Sequence, residues 1–488
     1  MSIYSQTDLD SLDHSFDNIS EEIKKIRANL YKPSLEDKFK IHNIILEYIK
    51  TNNKKIYGGY AVNKLLLNAN CESIYKNYEV ADIDFYSVDP NTDIINICNT
   101  IHDANYKVSA REAKHPNTYS IFVEYDLYCD VTYVPRNIYN SISIIKIDGF
   151  NYVHPSFMTI DYLKMVTDPL SSYWRLQKSL KRFVQLEKFY PLPKFTKSIK
   201  ICESEYDKNI VECLQFMLNK IDTENMVFIG FYSYLYFLKT SKLYEKKNNL
   251  ASFSNKKYEN LPFIEVISKN FESDTDKILN CLKSKYGNLI THVQFHPFFT
   301  FLGTSIEIYL NNNLILVLYD YNNRPIPYIL NEENIKIGSF SLSLMHAQIN
   351  VIKFKTQRDE ELELMFMTMV SHLIQMKSHY FTEHSNNTII DETPFKEFVL
   401  SFLSPEDNPE HELLIKYDKR RANNKPSMFI YTPSKCKKDS KVENFFFPNI
   451  SGNEIKNIKR TELNEQNGQN GQNEQNEQNE QNEQNQIN

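Results

Sequence analysis

A surplus of positive charge is missing from this 488-residue chain: 56 lysines and arginines stand against 62 aspartates and glutamates, a formal net charge of −6. A globally basic polyanion binder is thereby excluded, and any path for a polyanion has to be a local patch. Paired cysteines are missing too. The seven cysteines, at positions 71, 98, 129, 202, 213, 281 and 436, form no Cys-x-x-Cys and sit largely in apolar settings. That pattern excludes a zinc ribbon or a disulfide framework and fits a reducing compartment. No apolar run is long enough to span a bilayer, and the opening residues MSIYSQTDLDSLDHS are polar and acidic rather than a signal peptide, so no membrane is expected as a partner. Glycine is scarce, with 10 residues, and tryptophan occurs once, at Trp174.

What the chain does have is apolar and aromatic mass. Apolar residues make up 41% of it, with 32 tyrosines and 31 phenylalanines, enough to bury a large core. One hydrophobic core does not normally organise a chain this long, so two or three domains are expected.

Two of the glycines stand together in the stretch from Tyr57 to Ser87, YGGYAVNKLLLNANCESIYKNYEVADIDFYS. Gly58 and Gly59 follow the apolar Ile56, and Tyr60 to Leu67 continue with helix formers, so a tight turn opens directly into a helix. Such a helix aims unpaired N–H groups and its positive dipole end at whatever lies ahead of it, and phosphate is the natural occupant. The strand that follows carries Asp82 and Asp84. Carboxylates at i and i+2 on a strand share a face, so both can grip one divalent cation while Ile83 and Phe85 pack the other way. A third carboxylate is available in YSIFVEYDLYCDVTYV, Tyr119 to Val134, where Asp126, Tyr128 and Asp130 alternate with Leu127, Cys129 and Val131. Asp130 is the better candidate. It lies in the most apolar part of the run, where an unpaired carboxylate is costly unless a cation or a donor meets it; Asp126 stands in reserve. Hard oxygen donors beside a phosphate site suit Mg²⁺ or Mn²⁺ better than zinc. Metal-assisted chemistry on a phosphate is indicated.

These motifs resemble the nucleotidyltransferase superfamily of DNA polymerase beta type, with its Gly-Gly or Gly-Ser helical turn, its Asp-x-Asp strand and its later single Asp. Within it, YGGYAVNKLL followed by ADIDFYS is similar to the poly(A) polymerase catalytic subunits of large DNA viruses, of the poxvirus, asfarvirus and mimivirus type. The resemblance runs from about Ile56 into the helices near Tyr190 and more weakly through the second half. Gly59 and Asp82 are further apart than in most of the superfamily, which places an inserted hairpin or loop at Asn68 to Tyr78. The resemblance implies template-independent transfer of AMP from ATP to an RNA 3′ hydroxyl, with release of pyrophosphate by a two-metal mechanism. It gives Asp82, Asp84 and Asp130 the metals, with Asp130 on the ion that activates the hydroxyl, and it gives Gly58 and Gly59 the triphosphate. The partners it implies are the single-stranded 3′ end of an mRNA, ATP, and either a second copy of the chain or a separate processivity subunit. The location it implies is the virion and the host cytoplasm, in a viral factory. The same motif set serves terminal uridylation and CCA addition, and some superfamily members are noncatalytic RNA-binding scaffolds; those alternatives stay open here.

The stretch Ser172 to Tyr190, SYWRLQKSLKRFVQLEKFY, sets Leu176, Leu180, Phe183 and Leu186 as an apolar stripe, with Arg175, Lys178, Lys181 and Arg182 off it. The resemblance directs Lys178 and Lys181 to the triphosphate, as point charges on its outer phosphates. A second basic stretch, Lys416 to Lys441, interleaves Lys419, Arg420, Arg421, Lys425, Lys435, Lys437 and Lys438 with Tyr417, Phe429 and Tyr431. That composition can neutralise phosphates and stack bases.

Ser20 to Leu30 and Leu35 to Asn52 have helical spacing, the second opening with Ser34 and Asp37 in a capping arrangement after Pro33. The second half echoes the first. VFIGFYSYLYFL (Val227 to Leu238) repeats IYGGYAVNKLLL with Gly230 in the place of Gly59, and LPFIEVIS (Leu261 to Ser268) repeats VADIDFYS with Phe263 for Asp82 and Glu265 for Asp84. SIEIYLNNNLILVLYDY (Ser305 to Tyr321) repeats the strand of Asp130 with an aliphatic residue around Leu316 in its place. One long helix is expected over Leu344 to Met376. The fold class expected is α+β: a mixed-sheet nucleotidyltransferase domain followed by a second, degenerate nucleotidyltransferase-like domain, which a single carboxylate leaves without a two-metal site. The expected boundaries are a helical lead-in at 1–50, the catalytic unit at 51–200, the degenerate unit at 201–400, a basic segment at 401–455 and a disordered tail at 456–488. Asn464 to Asn488 is almost pure Gln, Asn, Glu and Gly, from which no core can form. Removal of Thr461 to Asn488 is expected to leave ATP incorporation intact; a truncated protein without incorporation would show the tail to be needed.

Overall fold

The computed structural model describes residues 3, 5–113, 115, 117–192, 208–220, 223–242, 261–405, 409–424, 428–434, 442–444 and 447–450. Two helices open the chain, α1 (Gln6–Leu30) and α2 (Leu35–Thr51), each started by a capping box in which a serine and an aspartate satisfy each other's backbone donors. The box at Ser34 and Asp37 is the one expected. A second, at Ser5 and Asp8, starts α1 well before Ser20. Ile41, Ile45 and Ile49, four residues apart, bury one face of α2 completely.

The first sheet is built from β1 (Lys55–Tyr57), β2 (Ile83–Ser87), β3 (Val108–Glu112), β4 (Thr118–Val123), β5 (Asp126–Tyr133), β6 (Ile144–Ile147) and β7 (Phe150–Val153). Between and after them run α3 (Gly58–Asn68), α4 (Pro90–Asp103), α5 (Pro155–Thr167) and α6 (Leu176–Phe189). The strand order is β3-β4-β5-β2-β1-β7-β6. β2 runs parallel to β5 and β1 parallel to β7, while the other neighbours are antiparallel. The alternation read from sequence holds where it matters: Ile83, Phe85, Cys129 and Val131 are fully buried, and Asp84 and Asp130 lie between them on the other face. The insertion after α3 is an irregular loop without a strand.

The second sheet repeats the first strand for strand. It comprises β8 (Met226–Ile229), β9 (Ile264–Ser268), β10 (Ile290–Phe295), β11 (Ser305–Leu310), β12 (Asn313–Asp320), β13 (Ile326–Leu330) and β14 (Lys336–Gly338), in the order β10-β11-β12-β9-β8-β14-β13. β9 is parallel to β12 and β8 to β14, as β2 is to β5 and β1 to β7. Helices α7 (Gly230–Ser241), α8 (Phe271–Tyr286), α9 (Phe340–Gln357) and α10 (Glu360–Glu383) take the places of α3 to α6. The residues before α3 and α7, Tyr57 and Ile229, have nearly the same backbone angles, φ −132° and ψ −165° against φ −130° and ψ −164°.

This register moves two of the expected equivalences by one residue. Ile229 pairs with Glu265 as Tyr57 pairs with Asp84, so Gly230 answers to Gly58 rather than Gly59. Glu265 pairs with Val317 as Asp84 pairs with Asp130, so Val317, not Leu316, stands where the third carboxylate would be. The expected helix over Leu344 to Met376 is two helices, because Arg358 turns left-handed (φ +60°) and Asp359 caps α10 with its carboxylate on the Leu362 N–H.

The segment after 400 is not a unit of its own. Phe402–Leu403 adds to β13, and Ile430–Tyr431 returns to the edge of the first sheet beside β3. Tyr431 is buried with its hydroxyl on Asn99 Oδ1 (2.6 Å), Phe429 packs edge-on against Tyr119, and Lys416 and Arg420 reach Glu112. Those two aromatics serve the fold and are not free to stack bases. Lys425, Lys435, Lys437, Lys438 and the Gln/Asn-rich tail lie outside the described residues. Among the described residues no helix is long and apolar enough to cross a membrane. The two halves meet where the equivalent helices α5 and α9 pack on each other.

In the second half the place of a metal is filled by side chains. Glu265 and His346 are 1% and 2% exposed, His346 Nε2 lies 2.8 Å from Glu265 Oε1, and the Tyr319 hydroxyl donates to the same oxygen at 3.2 Å. The second carboxylate oxygen, Oε2, has no partner. His346→Ala is expected to cost about 1–3 kcal/mol, the penalty for leaving a buried hydrogen-bonding group without its partner, and Glu265→Gln in that background to recover part of it. Urea denaturation read on the second half is the measurement.

Candidate active site

The geometry begins with Gly58. Its φ of +71° is one that side chains rarely adopt, and a Cβ there would lie 1.9 Å from Asp84 Oδ2. Only a hydrogen fits between the start of α3 and the acid. Tyr57 makes no side-chain cap to α3, so the first N–H groups of the helix are left to face the site, and Asp84 accepts from the Gly59 N–H. Gly59 is closed in from the other side, where a Cβ would meet Tyr75 Oη at 2.4 Å and Arg182 Nη1 at 2.9 Å. Tyr75 belongs to the inserted loop and Arg182 to α6, and Arg182 donates to the Tyr75 hydroxyl at 3.4 Å.

The carboxylates gather along one line of the sheet. Asp84 is level with Asp130 on the parallel neighbour β5, at a strand spacing of about 4.8 Å. Asp82 lies two residues before Asp84, just outside the strand. Burial raises the Asp84 carboxyl well above the usual carboxylate range, and the negative charges of Asp82 and Asp130 push it further, against the Gly59 N–H. Asp130 is raised by burial and by Asp82, opposed by the Ser120 hydroxyl that donates to its Oδ1 at 2.6 Å. The reserve candidate Asp126 is elsewhere: it is exposed and pairs with Lys38 at 2.9 Å.

Such a set is acids in want of a cation. Its donors are all hard carboxylate oxygens, and the mutual repulsion that raises Asp84 is what a divalent ion would relieve, so the residues fit Mg²⁺ or Mn²⁺. Among the described residues no three His, Cys, Asp or Glu side chains close into a cage that would hold an ion alone. Magnesium sites on phosphate substrates are of that kind, with one or two carboxylates and the remaining ligands supplied by phosphate and water.

Further groups come to the site that the sequence motifs do not mark. Asp161 on α5 interacts with Asp84 and accepts from the Tyr86 hydroxyl at 3.4 Å; burial raises its carboxyl, while Lys164, Tyr86 and Arg175 oppose the rise. Tyr86 stacks on Tyr57 with ring centroids 4.0 Å apart, and Tyr57 holds Thr132 through its hydroxyl at 2.7 Å. One cue was available in sequence: a single carboxylate inside the apolar run SFMTIDYLKMV carries the same desolvation cost that singles out Asp130. Of the basic helix, Arg182 meets Gly59, whereas Lys178 and Lys181 stand exposed on α6.

Comparison with known proteins agrees over most of the chain. Residues 43–172 match the family model for the poly(A) polymerase catalytic subunit, and residues 199–465, more than half the chain, match the model for the C-terminal part of the provisionally named mimivirus poly(A) polymerase catalytic subunit. A protein of Acanthamoeba polyphaga mimivirus, provisionally named as its poly(A) polymerase catalytic subunit, is 29% identical over 467 residues, covering 88% of this chain and 79% of its own. A protein of African swine fever virus (strain Badajoz 1971 Vero-adapted) with the same provisional name is 25% identical over 157 residues, covering 31% of this chain and 33% of its own. The crystal structure of the Megavirus polyadenylate synthase superposes with a TM-score of 0.80 at 29% identity, over 89% of this chain and 87% of that one. The second, acid-poor half thus has counterparts of its own, and the chain belongs to the poly(A) polymerase catalytic subunits of large DNA viruses.

Proposed function

We propose that this chain adds adenylate to RNA 3′ ends without a template, taking AMP from ATP. The observation that carries this is the in-register line of Asp84 and Asp130, with Asp82 beside them, facing the uncapped start of α3 at Gly58 and Gly59. In the transfer the RNA 3′ oxygen bonds to the α-phosphorus of ATP, the bond from that phosphorus to the β-phosphate oxygen breaks, pyrophosphate leaves and the hydroxyl gives up its proton.

Asp82, Asp84 and Asp130 would hold the divalent cations, Mg²⁺ or Mn²⁺, which when bound supply Lewis-acid stabilisation of the phosphoryl and attacking oxygens. The chain's own groups do the rest. The N–H groups left open at the uncapped start of α3, beside the Gly59 N–H that Asp84 holds, donate to phosphate oxygens. Arg182, held by Tyr75 against Gly59, adds positive charge there, and Lys178 and Lys181 on the same helix extend the field outward. Asp130 keeps one oxygen on Ser120 and has the other to receive the hydroxyl proton. Single-stranded mRNA is the acceptor. A second copy of this chain or a separate processivity subunit would keep it on its product, and the virion and the viral factory in the host cytoplasm are where it would act.

Incubation with a single-stranded RNA primer and each labelled nucleotide in turn is expected to give long tails with ATP alone. Short C- or CCA-type products, or U tails, would replace polyadenylation by the corresponding transfer. Asp82→Ala and Asp84→Ala should each lower extension about a thousandfold or more while RNA is still bound, because several kcal/mol of charge stabilisation are lost; a noncatalytic scaffold would show no extension to lose.

The raised Asp84 carboxyl makes a second test. A carboxyl whose folded value lies above its unfolded one of about 3.9 keeps its proton in the folded state after the unfolded chain has lost it. Its contribution therefore weakens the metal-free fold as pH rises from the ordinary carboxylate range through the folded value. Asp84→Asn should be more thermostable than the parent near pH 8 without metal, with the difference closing toward about pH 4. Thermal melts across that range in chelator decide it, and equal pH slopes for the two proteins would contradict it.

A further inference from the structure

Lys164 is a half-buried cation that makes no direct ion pair among the described residues; the one acid that acts on it, Asp161, lies a helical turn away on α5. Lys164 stands on α5 at the seam between the halves, where its Nζ donates to Thr300 Oγ1 at 3.3 Å and sits 5.0 Å from the centre of the Phe301 ring, both from the second half. No carboxylate comes within ion-pair distance of it among the described residues. Arg324, on the loop after β12, stands close enough to repel it: burial and the Arg324 charge together bring the Lys164 ammonium down to about 8. Arg324 is itself lowered by burial, with Asp168 opposing, and its guanidinium has no hydrogen bond or ion pair among the described residues. The acids nearby do not neutralise the pair. Asp168 is occupied by the Ser171 hydroxyl at 2.7 Å, and Asp161 is shared between Tyr86, Lys164 and Arg175. The buried Nε of Arg175 is also unpartnered.

Two half-buried like charges brought together without an anion are costly, and a fold that needed only to seal the seam would use apolar groups. The internal repeat supplies the comparison. Tyr152 pairs with Ile56 as Ile337 pairs with Phe228, which makes α9 the counterpart of α5 residue by residue. At that offset Asp161 answers to His346, which touches Glu265, and Lys164 answers to Ile349, which is fully buried. The position therefore carries an aliphatic side chain in the acid-poor half and, beside the acids, an ammonium in no direct ion pair.

We propose that Lys164 and Arg324, one from each half of the chain, form a polyphosphate subsite that holds the outer phosphates of the incoming nucleotide and then the pyrophosphate product. The proposal rests on the nucleotidyl-transfer function given above. Converging cations suit a compact, multiply charged anion better than the single charges spaced along an RNA backbone, and Arg175 and Arg182 continue the positive line along α6 toward Gly59. The second half would thus bind nucleotide through a residue of its own although it has lost its acids.

The test combines primer-extension kinetics with calorimetric titration of inorganic pyrophosphate, on the full chain and on Lys164→Met, Arg324→Gln and Lys164→Arg. If the subsite exists, the first two variants raise KM for ATP and Kd for pyrophosphate at least about tenfold, leave KM for the RNA primer near the parent's and keep the anion-free melting temperature at or above it, while Lys164→Arg recovers most of the loss. Unchanged ATP and pyrophosphate binding overturns it, as does a rise confined to the primer KM, which would make the cluster an RNA contact. A parent chain that extends no primer yet binds pyrophosphate through Lys164 and Arg324 would refute polyadenylation and leave the subsite standing.

Discussion

An acid packed against a glycine hydrogen is the contact on which both halves are built. A Cβ on Gly58 would lie 1.9 Å from Asp84 Oδ2, and one on Gly230 would lie 1.7 Å from Glu265 Oε2. Each glycine has positive φ, each follows a residue that does not cap the helix, and each acid sits at the matching point of an antiparallel pair. The contact ties the end of a strand to the start of a helix and gives the helix's unpaired N–H groups a negative neighbour. This explains why one acid of three survives in the second half. In the proposed transfer Asp84 serves the fold and the chemistry together, and its counterpart Glu265 keeps an acid against the glycine while its carboxylate is held by His346 and Tyr319 rather than by α7. Asp82 and Asp130 would serve the proposed chemistry alone, and their places are taken by Phe263 and Val317.

Charge balance then divides the halves. Around Asp84 burial and the negative charge of Asp82, Asp130 and Asp161 together raise its carboxyl, a repulsion that a divalent ion would relieve. Around Glu265 the need is met from within: the position of Asp161 is His346, the position of Thr132 is Tyr319, and both reach the carboxylate. A protein donor in the place of a metal suits a site that no longer turns over, since it excludes both ion and phosphate. The same two helices, α5 and α9, carry these opposite solutions and pack on each other, so the interface between halves lies directly behind both sites.

How far the sequence discloses this depends on whether local geometry or packing decides. The glycine pair, the i, i+2 aspartates and the choice of Asp130 over Asp126 all follow from period-two alternation and desolvation, which are local. Asp126, Tyr128 and Asp130 do not share a face in the simple way the alternation suggests, because a bulge falls at Tyr128. The bulge turns Tyr128 into the core and leaves Asp126 exposed beside Lys38. The same irregularity recurs in β12, between the pairings of Ile308 and Tyr309, and a gap-free alignment of two apolar runs offers no means of placing it. It falls at the equivalent point of the hairpin, so the two copies stay in register and Asp130 answers to Val317, an aliphatic residue beside Leu316. The split of the long helix depended on one residue, Arg358, adopting a left-handed conformation that its side chain does not announce. Which of four basic residues on α6 meets Gly59 was beyond periodicity as well, since all four lie off the apolar stripe and only the inserted loop with Tyr75 selects Arg182.

The duplicated architecture has a further consequence for where nucleotide phosphates can go. Two copies of one fold, joined through equivalent helices, place the active sheet of the first against loops of the second, and the turn at Thr300 and Phe301 reaches α5 one helical turn from Asp161. The wall that this turn provides is apolar and aromatic, with Phe157 packed on Phe301, so a charge on it is poorly screened by water. Lys164 and Arg324 in that setting are stronger attractors for an anion than exposed lysines such as Lys178 and Lys181, and more costly when the anion is absent. In the proposed subsite the acid-poor half supplies Arg324 to the phosphates and Thr300 to Lys164, which would give it a part in every cycle of addition and a physical reason for the second fold to remain fused to the first.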